Sequence, residues 1–212
     1  MESLNYQVTI IDEGEWIHSQ GTDFLFAFLK KSWSDQFKAK LGKAFTTGLT
    51  VPNKIKESVK KNSGQDVVNG LYIQDEAAMT KAMNDIPGMS QTGASRHHEE
   101  GEDIVTVITE KFFGAVLATL GGNVKPISTY LTSKMADFQA QLKETKVDDK
   151  FGTVIGLISG IPEFDVVTTT FKYVYSSAST ASWVVETSCS STQKTSYNYD
   201  YTVVDYLYNP SP

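Results

Sequence analysis

The sequence predicts an α/β chain of the α+β type. We expect one domain over 1–212, a sandwich whose central antiparallel sheet is flanked by helical hairpins. The length of 212 residues suits a single domain with one substantial core. Apolar residues in the first two thirds recur at spacings of three and four, which is typical of amphipathic helices. After residue 150, Ser, Thr, Val and Tyr alternate in long runs with few charges, which is typical of strands.

The start of the chain predicts a strand followed by a helix. Residues 6–11 (YQVTII) are rich in β-branched side chains and end at Asp12-Glu13-Gly14, so we expect a strand there. We expect a helix to begin after the cap-like sequence Gly21-Thr22-Asp23. Its apolar stripe consists of Phe26, Leu29, Trp33, Phe37, Leu41 and Phe45.

Further helices are predicted before and after a polar segment. We expect one over 50–59, with a proline in its first turn, and one over 74–85, which ends before a Pro-Gly pair. Residues 67–73 fit either a strand or a helix. The segments 104–120 and 126–142, separated by a Gly-Gly turn, predict an αα-hairpin that packs on the sheet. Its expected contacts with the sheet, or with lipid, are Phe112, Val116, Leu131, Met135 and Phe138.

The polar segment 89–101 (MSQTGASRHHEEG) predicts an exposed loop. Within it, His97-His98-Glu99-Glu100 contains residue types that bind metals. Adjacent histidines point to different faces of a regular element, however, and no partner pair at ligand spacing accompanies them. We therefore expect a solvated loop without a metal. The isolated His18 is expected at the surface.

The last third predicts four strands, at 153–161, 164–175, 181–191 and 195–208. Their short connections favour antiparallel pairing. Tyr197, Tyr199 and Tyr201 have one parity along the last strand, whereas Tyr206 and Tyr208 have the other. A β-bulge near Val204 would explain the change.

Three glycines recur at every fourth position, Gly152, Gly156 and Gly160. In a membrane helix this spacing marks a packing face, but the apolar run here is half the length that a span needs. In a strand the three glycines share one face with Val154 and Ile158. We expect a helix to approach the sheet closely there.

Composition and missing motifs exclude several classes of function. The net charge is −6, the isoelectric point is near 5.1 and no Lys/Arg stripe occurs, so nucleic acid is not expected as a partner. No phosphate-binding loop or catalytic motif is present, so we expect neither a cofactor nor an enzyme. The single cysteine, Cys189, excludes an internal disulfide and is expected to be a structural or surface thiol. The first residues lack secretory-signal features, so we expect synthesis in the cytoplasm and action after release, on a target membrane.

The uncharged strands leave two interpretations open. They form either an antiparallel sheet with one wet face under helices, or strands that can later enter a bilayer. A membrane strand needs about 9–11 residues, and at least two of the predicted strands reach that length. The candidates for membrane insertion are Val167, Phe171, Tyr173, Trp183, Val185, Tyr199, Tyr201 and Val203.

Short sequence patterns add a family resemblance. They are Val105, Ile108 and Lys111; Val116-Leu117 and Thr119-Leu120-Gly121; Leu131-Thr132 and Phe138; 173–180 (YVYSSAST); and Leu41-Gly42-Lys43-Ala44-Phe45 with Pro52. From Gly101 onward the pattern resembles the Cyt δ-endotoxins and their relatives, the fungal volvatoxins and certain bacterial virulence factors. None of these patterns is a catalytic motif.

The resemblance implies a membrane-active cytolysin, an insecticidal toxin or virulence protein, with a sheet wrapped by two layers of helical hairpins. It implies that membrane lipids are the partner, that helices move away from the sheet, and that the bilayer is permeabilised by pores or disruption, with homo-oligomers on the membrane. Two alternatives remain: a module that holds lipid or a small apolar ligand without inserting, and an enzyme of another class.

Overall fold

The computed structural model describes residues 6–19, 24–64, 76–101, 152–176, 182–186 and 194–210. Eight strands and three α-helices lie in these ranges. In chain order they are β1 (Tyr6–Ile11), β2 (Gly14–Ser19), β3 (Phe24–Lys30), α1 (Asp35–Gly48), α2 (Thr50–Ser63), α3 (Glu76–Asn84), β4 (Met89–Gly101), β5 (Gly152–Ile161), β6 (Val166–Ser176), β7 (Ser182–Glu186) and β8 (Lys194–Tyr208).

All eight described strands belong to one sheet, in the order β1-β2-β3-β5-β6-β8-β4, with β7 also paired to β8. The pairings are antiparallel except that β3 and β5 run parallel. The predicted mixed α+β class is confirmed, and its sheet is antiparallel apart from that one pair.

The longest described strand, β8, joins the C-terminal strands. One edge of β8 pairs with β4 along most of its length, with Gly101 opposite Tyr197. On the other edge β6 ends with Ser176 opposite Tyr201, and β7 begins with Ser182 opposite Asn198. Strands β6 and β7 therefore lie end to end along β8, and each is antiparallel to it.

Helix α1 buries one stripe against the sheet. Ser34 caps the helix, because its Oγ accepts a hydrogen bond of 3.2 Å from the Phe37 backbone N–H. The helix contacts β3, β5 and β6. Its buried residues, at spacings of three and four, are Phe37, Leu41, Phe45 and Gly48.

Helices α1 and α2 are joined through Leu49, and α2 packs on α3. Helix α2 buries Val51, Ile55 and Val59, and it ends at Gly64, whose φ of 70° is the left-handed conformation that glycine adopts readily. The sequence predicted α2, and it predicted a helix over the residues of α1 that starts too early. Helix α3 ends at Asn84, one residue before the predicted end.

The helix predicted from Phe26 to Phe45 is wrong in its first half. Strands β2 and β3 occupy residues 14–30, and the helix begins only at Asp35. Residues 25–29 of β3 are all buried, so both faces of this strand are covered. A strand buried on both faces reads as a continuous apolar run, and such a run also contains the spacings of a helix.

The exposed loop predicted at 89–101 is wrong: these residues form strand β4, at one edge of the described sheet. Most of its described side chains are exposed, as their polarity suggested. The backbone of β4 pairs with that of β8 through ladder hydrogen bonds. The polar side chains of β4 do not predict this pairing.

The bulge predicted near Val204 lies instead on the partner strand. The register shifts between Gln91 and Gly93 of β4, whereas β8 stays in register with β6. Within β8, Val203 is buried on one face of the sheet, and Tyr206 and Tyr208 are buried on the other. The change of tyrosine parity therefore needs no bulge in β8, since both faces are buried there.

His18 was expected at the surface, and this is also wrong. It lies in β2 with 6% of its surface exposed, and its ring centroid is 6.3 Å from that of Phe26. Its Nδ1 lies 3.3 Å from the carbonyl oxygen of Ser19. A neighbouring strand covers this histidine, which a local sequence pattern does not reveal.

The strands predicted for the last third of the chain are confirmed, with bounds close to those predicted. Strands β5, β6 and β8 begin and end within two residues of the predicted bounds, and β7 lies within the predicted 181–191. The residues 67–73, the hairpin predicted over 104–142, and Cys189 lie outside the described residues.

Candidate functional site

The candidate site lies where α1 meets the hairpin formed by β5 and β6. Two glycines of β5 form the seat of the helix. A Cβ atom on Gly160 would lie 2.7 Å from Phe37 Cζ and 3.2 Å from Leu41 Cδ1, and one on Gly156 would lie 2.5 Å from Leu25 Cδ1. The expectation that a helix approaches these glycines is therefore confirmed at Gly160, where the side chains of α1 fill the space, whereas at Gly156 the space is filled by Leu25 of β3 and Phe171 of β6.

An ion pair joins α1 to the turn between β5 and β6. Lys40 Nζ contacts Asp165 Oδ2, and the two side chains are 41% and 67% exposed. Asp165 has a φ of 52°, and its backbone N–H donates to the carbonyl of Pro162 at 3.0 Å. Since the pair is exposed, solvent screens it, and it contributes about 0–1 kcal/mol.

The other ion pairs of the described residues do not hold α1 to the sheet. Lys38–Asp35 lies within α1 and Lys81–Asp85 lies at the end of α3. The Lys172–Asp205 pair joins opposite positions of β6 and β8 within the sheet. Apolar contacts therefore supply most of the adhesion between α1 and the described sheet.

The turn between β5 and β6 exposes a cluster of apolar side chains, which we call the apolar tip: Ile161, Phe164 and Val166. Their exposed fractions are 51%, 76% and 44%. A short 3-10 helix, Pro162–Phe164, presents the phenylalanine. Neighbouring exposed apolar side chains of this kind are a candidate surface for contact with another molecule or a membrane.

A cavity of about 270 Å³ opens beside the tip, between α1 and the sheet. Its helix wall consists of Lys40, Lys43, Ala44 and Thr47. Its opposite wall consists of Val167, Thr169, Tyr208, Asn209 and Pro210. The cavity thus combines ammonium groups and hydroxyls with apolar surface.

The residues proposed for membrane insertion fall into three groups. Val167 is half-buried and lines the cavity, and Phe171 and Tyr173 are buried on the same face as α1. Val203 is buried on the opposite face, where it pairs with Val174. Of the others, Trp183 and Val185 lie in β7, and Tyr199 and Tyr201 lie in β8.

The five residues expected in the 104–142 hairpin lie outside the described residues: Phe112, Val116, Leu131, Met135 and Phe138. Within the described ranges, no group of three or more His, Cys, Asp or Glu side chains could hold a metal ion. His97 instead lies on β4, with its Nε2 2.7 Å from Ser95 Oγ.

Sequence reasoning missed the apolar tip and the Lys40–Asp165 pair. One local signal existed, because Phe164 stands in the turn Pro162-Glu163-Phe164-Asp165, between two apolar strands. An aromatic residue in so short a turn has little core to pack against. The ion pair spans 125 positions of the chain, and no local pattern predicts such a contact.

Comparison with known proteins gives one finding of similarity. No protein-family model matches the chain, and no curated protein matches it. The chain is similar to the solved structure of the activated Cyt2Ba monomer from Bacillus thuringiensis subsp. israelensis, at 9% sequence identity and a TM-score of 0.37. The match covers 90% of this chain and all of that one. A likeness this weak does not by itself assign the chain to a family.

None of the helices in the described ranges has both the length and the apolar character required to cross a membrane.

Proposed function

We propose that the protein binds lipid bilayers directly, through the apolar tip, and that its helices then separate from the sheet. The observation that carries the proposal is the position of the tip. Solvent-exposed Phe164 lies in the turn that is ion-paired to α1, and α1 covers the sheet. The proposed lipid-docking surface, the apolar tip, is thus connected to α1, the helix that would have to move away from the sheet.

The bilayer interface suits the tip physically. Full burial of a phenylalanine side chain contributes about 1.5–3 kcal/mol, and the tip adds Ile161 and Val166 to it. Lys40 and Lys43 lie beside the turn, and their ammonium groups can remain at the level of the headgroups. The two acidic side chains of the turn, Glu163 and Asp165, are exposed as well, and Asp165 is paired with Lys40.

A bilayer can also replace the contacts that hold α1 to the sheet. Those contacts are largely apolar, and lipid solvates the same side chains. Strands β5, β6 and β8 have 10, 11 and 15 residues, and a membrane strand needs about 9–11. Lys172 of β6 is paired with Asp205, which offsets part of the roughly 2–4 kcal/mol that a lysine at mid-bilayer costs.

The finer form of the proposal is a cytolytic role. We expect action on a target membrane after release, permeabilisation by pores or by disruption, and homo-oligomers on the membrane. The proposed role is not enzymatic, since it requires binding and rearrangement and no bond-making step.

Dye release from liposomes tests the proposal. The native protein should release dye, and Phe164→Glu should lower release at equal protein concentration by about tenfold or more, because a docking contact worth about 1.5–3 kcal/mol is lost. The matched control is Ile10→Glu: Ile10 is 82% exposed in β1, outside the tip. Equal losses in both variants would contradict docking through the tip. No release by the native protein from any lipid mixture would contradict the membrane role.

The cavity supports a second candidate function, a module that holds a small ligand without inserting. Such a module would bind its ligand and leave vesicles intact, so the same assay separates the two functions.

A further inference from the structure

We propose that the cavity between α1 and the sheet binds a small amphiphile with an oxyanion head, a carboxylate or phosphate ester on a short apolar tail. This binding site is independent of whether the protein permeabilises membranes. Three features of the cavity walls lead to it: an ammonium group that no carboxylate of the described residues pairs with, two hydroxyl-bearing side chains and an apolar lining.

The positive charge comes from Lys43. Its ammonium group forms no ion pair with a carboxylate among the described residues, whereas Lys40 on the same wall is paired with Asp165. The backbone carbonyl of Lys43 accepts a hydrogen bond from Thr47 Oγ1 at 3.0 Å, so the two cavity-lining residues belong to one helical turn. An unpaired lysine at a cavity favours an anion, and Lys binds a carboxylate or a phosphate as a point charge.

Two hydroxyl-bearing side chains form the opposite wall. Thr169 is 6% exposed and Tyr208 is 3% exposed, and they stand opposite each other on β6 and β8. Both residues line the cavity. A hydroxyl can donate one hydrogen bond, so these two side chains fit a ligand that accepts hydrogen bonds.

The remaining lining requires an apolar part in the ligand. Ala44 and Val167 contribute aliphatic surface from the two walls, and Pro210 contributes more. The volume of about 270 Å³ lies just below the range of roughly 300–1,000 Å³ found for drug-sized ligands. The ligand is therefore a short-chain amphiphile or one end of a lipid.

Titration calorimetry with four probes tests the proposal. Octanoate and octyl phosphate carry both an oxyanion and a tail, octanol carries only the tail, and acetate carries only the oxyanion. We expect octanoate or octyl phosphate to bind with one site per chain, and at least about tenfold more tightly than octanol and acetate. The tighter of the two identifies the head as carboxylate or phosphate. Equal binding of octanol would overturn the role of the anion, and no binding of either amphiphile would overturn the site.

Variants locate the site. Lys43→Gln should weaken binding about tenfold, since a contact to a charged group is worth about 1.5–3 kcal/mol. The control, Lys61→Gln, makes the same change of charge at an exposed position of α2. Equal weakening by both would show that net charge alone acts and would overturn the proposal.

Thr169→Val removes the hydroxyl while retaining the side-chain shape, and it should weaken binding severalfold. Thermal melting with and without the probe accompanies each variant, so that a folding defect is recognised. If Thr169→Val folds and binds with native affinity, while Lys43→Gln also has no effect, the ligand does not occupy this cavity.

Discussion

At the scale of single residues, Tyr206 and Tyr175 differ in whether the tyrosine hydroxyl has hydrogen-bond partners. Tyr206 is 1% exposed, and its hydroxyl has no hydrogen-bond partner among the described residues. Tyr175 is half-buried and its hydroxyl bonds to Glu76 and Thr202. Burial is the main cause that raises the pKa of both phenols, and the bond to Glu76 adds to it for Tyr175.

Replacing each tyrosine by phenylalanine should therefore change stability in opposite directions. Tyr206→Phe removes a buried polar group without a partner and should raise the free energy of unfolding by about 1 kcal/mol. Tyr175→Phe removes a satisfied hydroxyl and should lower it by about 1 kcal/mol. Urea denaturation measures both. Equal destabilisation by the two variants would mean that the Tyr206 hydroxyl contributes a hydrogen bond.

The same phenols predict a loss of stability in alkali. Their pKa values in the folded protein lie above the ordinary value of 10.0, so the folded state holds its protons more tightly than the unfolded state. This stability is fully present below pH 10.0 and declines as the pH rises through the folded pKa values. Tyr206→Phe should show a smaller decline than the native protein in urea denaturation at alkaline pH. An identical decline would assign the effect to other groups.

At the scale of elements, the contact between α1 and β5 depends on glycine. Gly160→Ala places a methyl group against Phe37 and Leu41 and should destabilise the protein by about 1–3 kcal/mol, as overpacking does. Gly42→Ala lies in α1 with open space around it and should stabilise by about 0.5–1 kcal/mol.

These two alanine variants also test the link between elements and function. If release of α1 limits permeabilisation, Gly160→Ala should lower the protein concentration needed for vesicle leakage, and Gly42→Ala should raise it. Thermal melting and dye release are compared on the same preparations. A Gly160→Ala protein that is less stable but leaks no more readily would contradict this link.

The local sequence pattern predicted those elements whose apolar residues recur with one clear periodicity. Helix α2 shows the spacing of Val51, Ile55 and Val59, and its start was predicted correctly although its end lies four residues later than predicted. Strand β8 alternates from Tyr197 to Tyr201 and was predicted within one residue of its bounds. Strand β3 was predicted as helix because its burial on both faces removes any alternation. Strand β4 was predicted as loop because pairing with β8, and not its own composition, makes it a strand.

The candidate site was less predictable than the fold. The glycine spacing in β5 predicted that a helix approaches this strand closely, but it did not predict which residues of the helix do so. Lys40, Asp165 and Thr169 meet only through long-range folding, and a single sequence carries no signal for such pairs. The membrane-insertion residues in β7 and β8, such as Trp183 and Tyr199, stay a prediction.

At the scale of the whole molecule, the proposal requires a fold that is stable in water and loosens on lipid. The net charge of −6 favours solubility. The buried apolar stripes of α1 and α2 stabilise the form in which α1 covers the sheet. In the apolar tip, Phe164 is already exposed to solvent before any membrane is present. The central claim is therefore that α1 must leave the sheet for the membrane to leak.

A reversible cross-link between α1 and the β5–β6 turn tests that claim most directly. Lys40→Cys and Asp165→Cys replace an exposed contacting pair in a Cys189→Ser background, which leaves no other thiol in the chain. A bifunctional, reducible thiol reagent joins the two. The control pair, Lys81→Cys and Asp85→Cys, is also ion-paired but lies at the end of α3, where a link leaves α1 free. We expect the linked Lys40–Asp165 variant to release no dye from liposomes and to regain release on reduction, while the control leaks in both states. Equal leakage by the linked and reduced Lys40–Asp165 variant would contradict the release of α1 from the sheet.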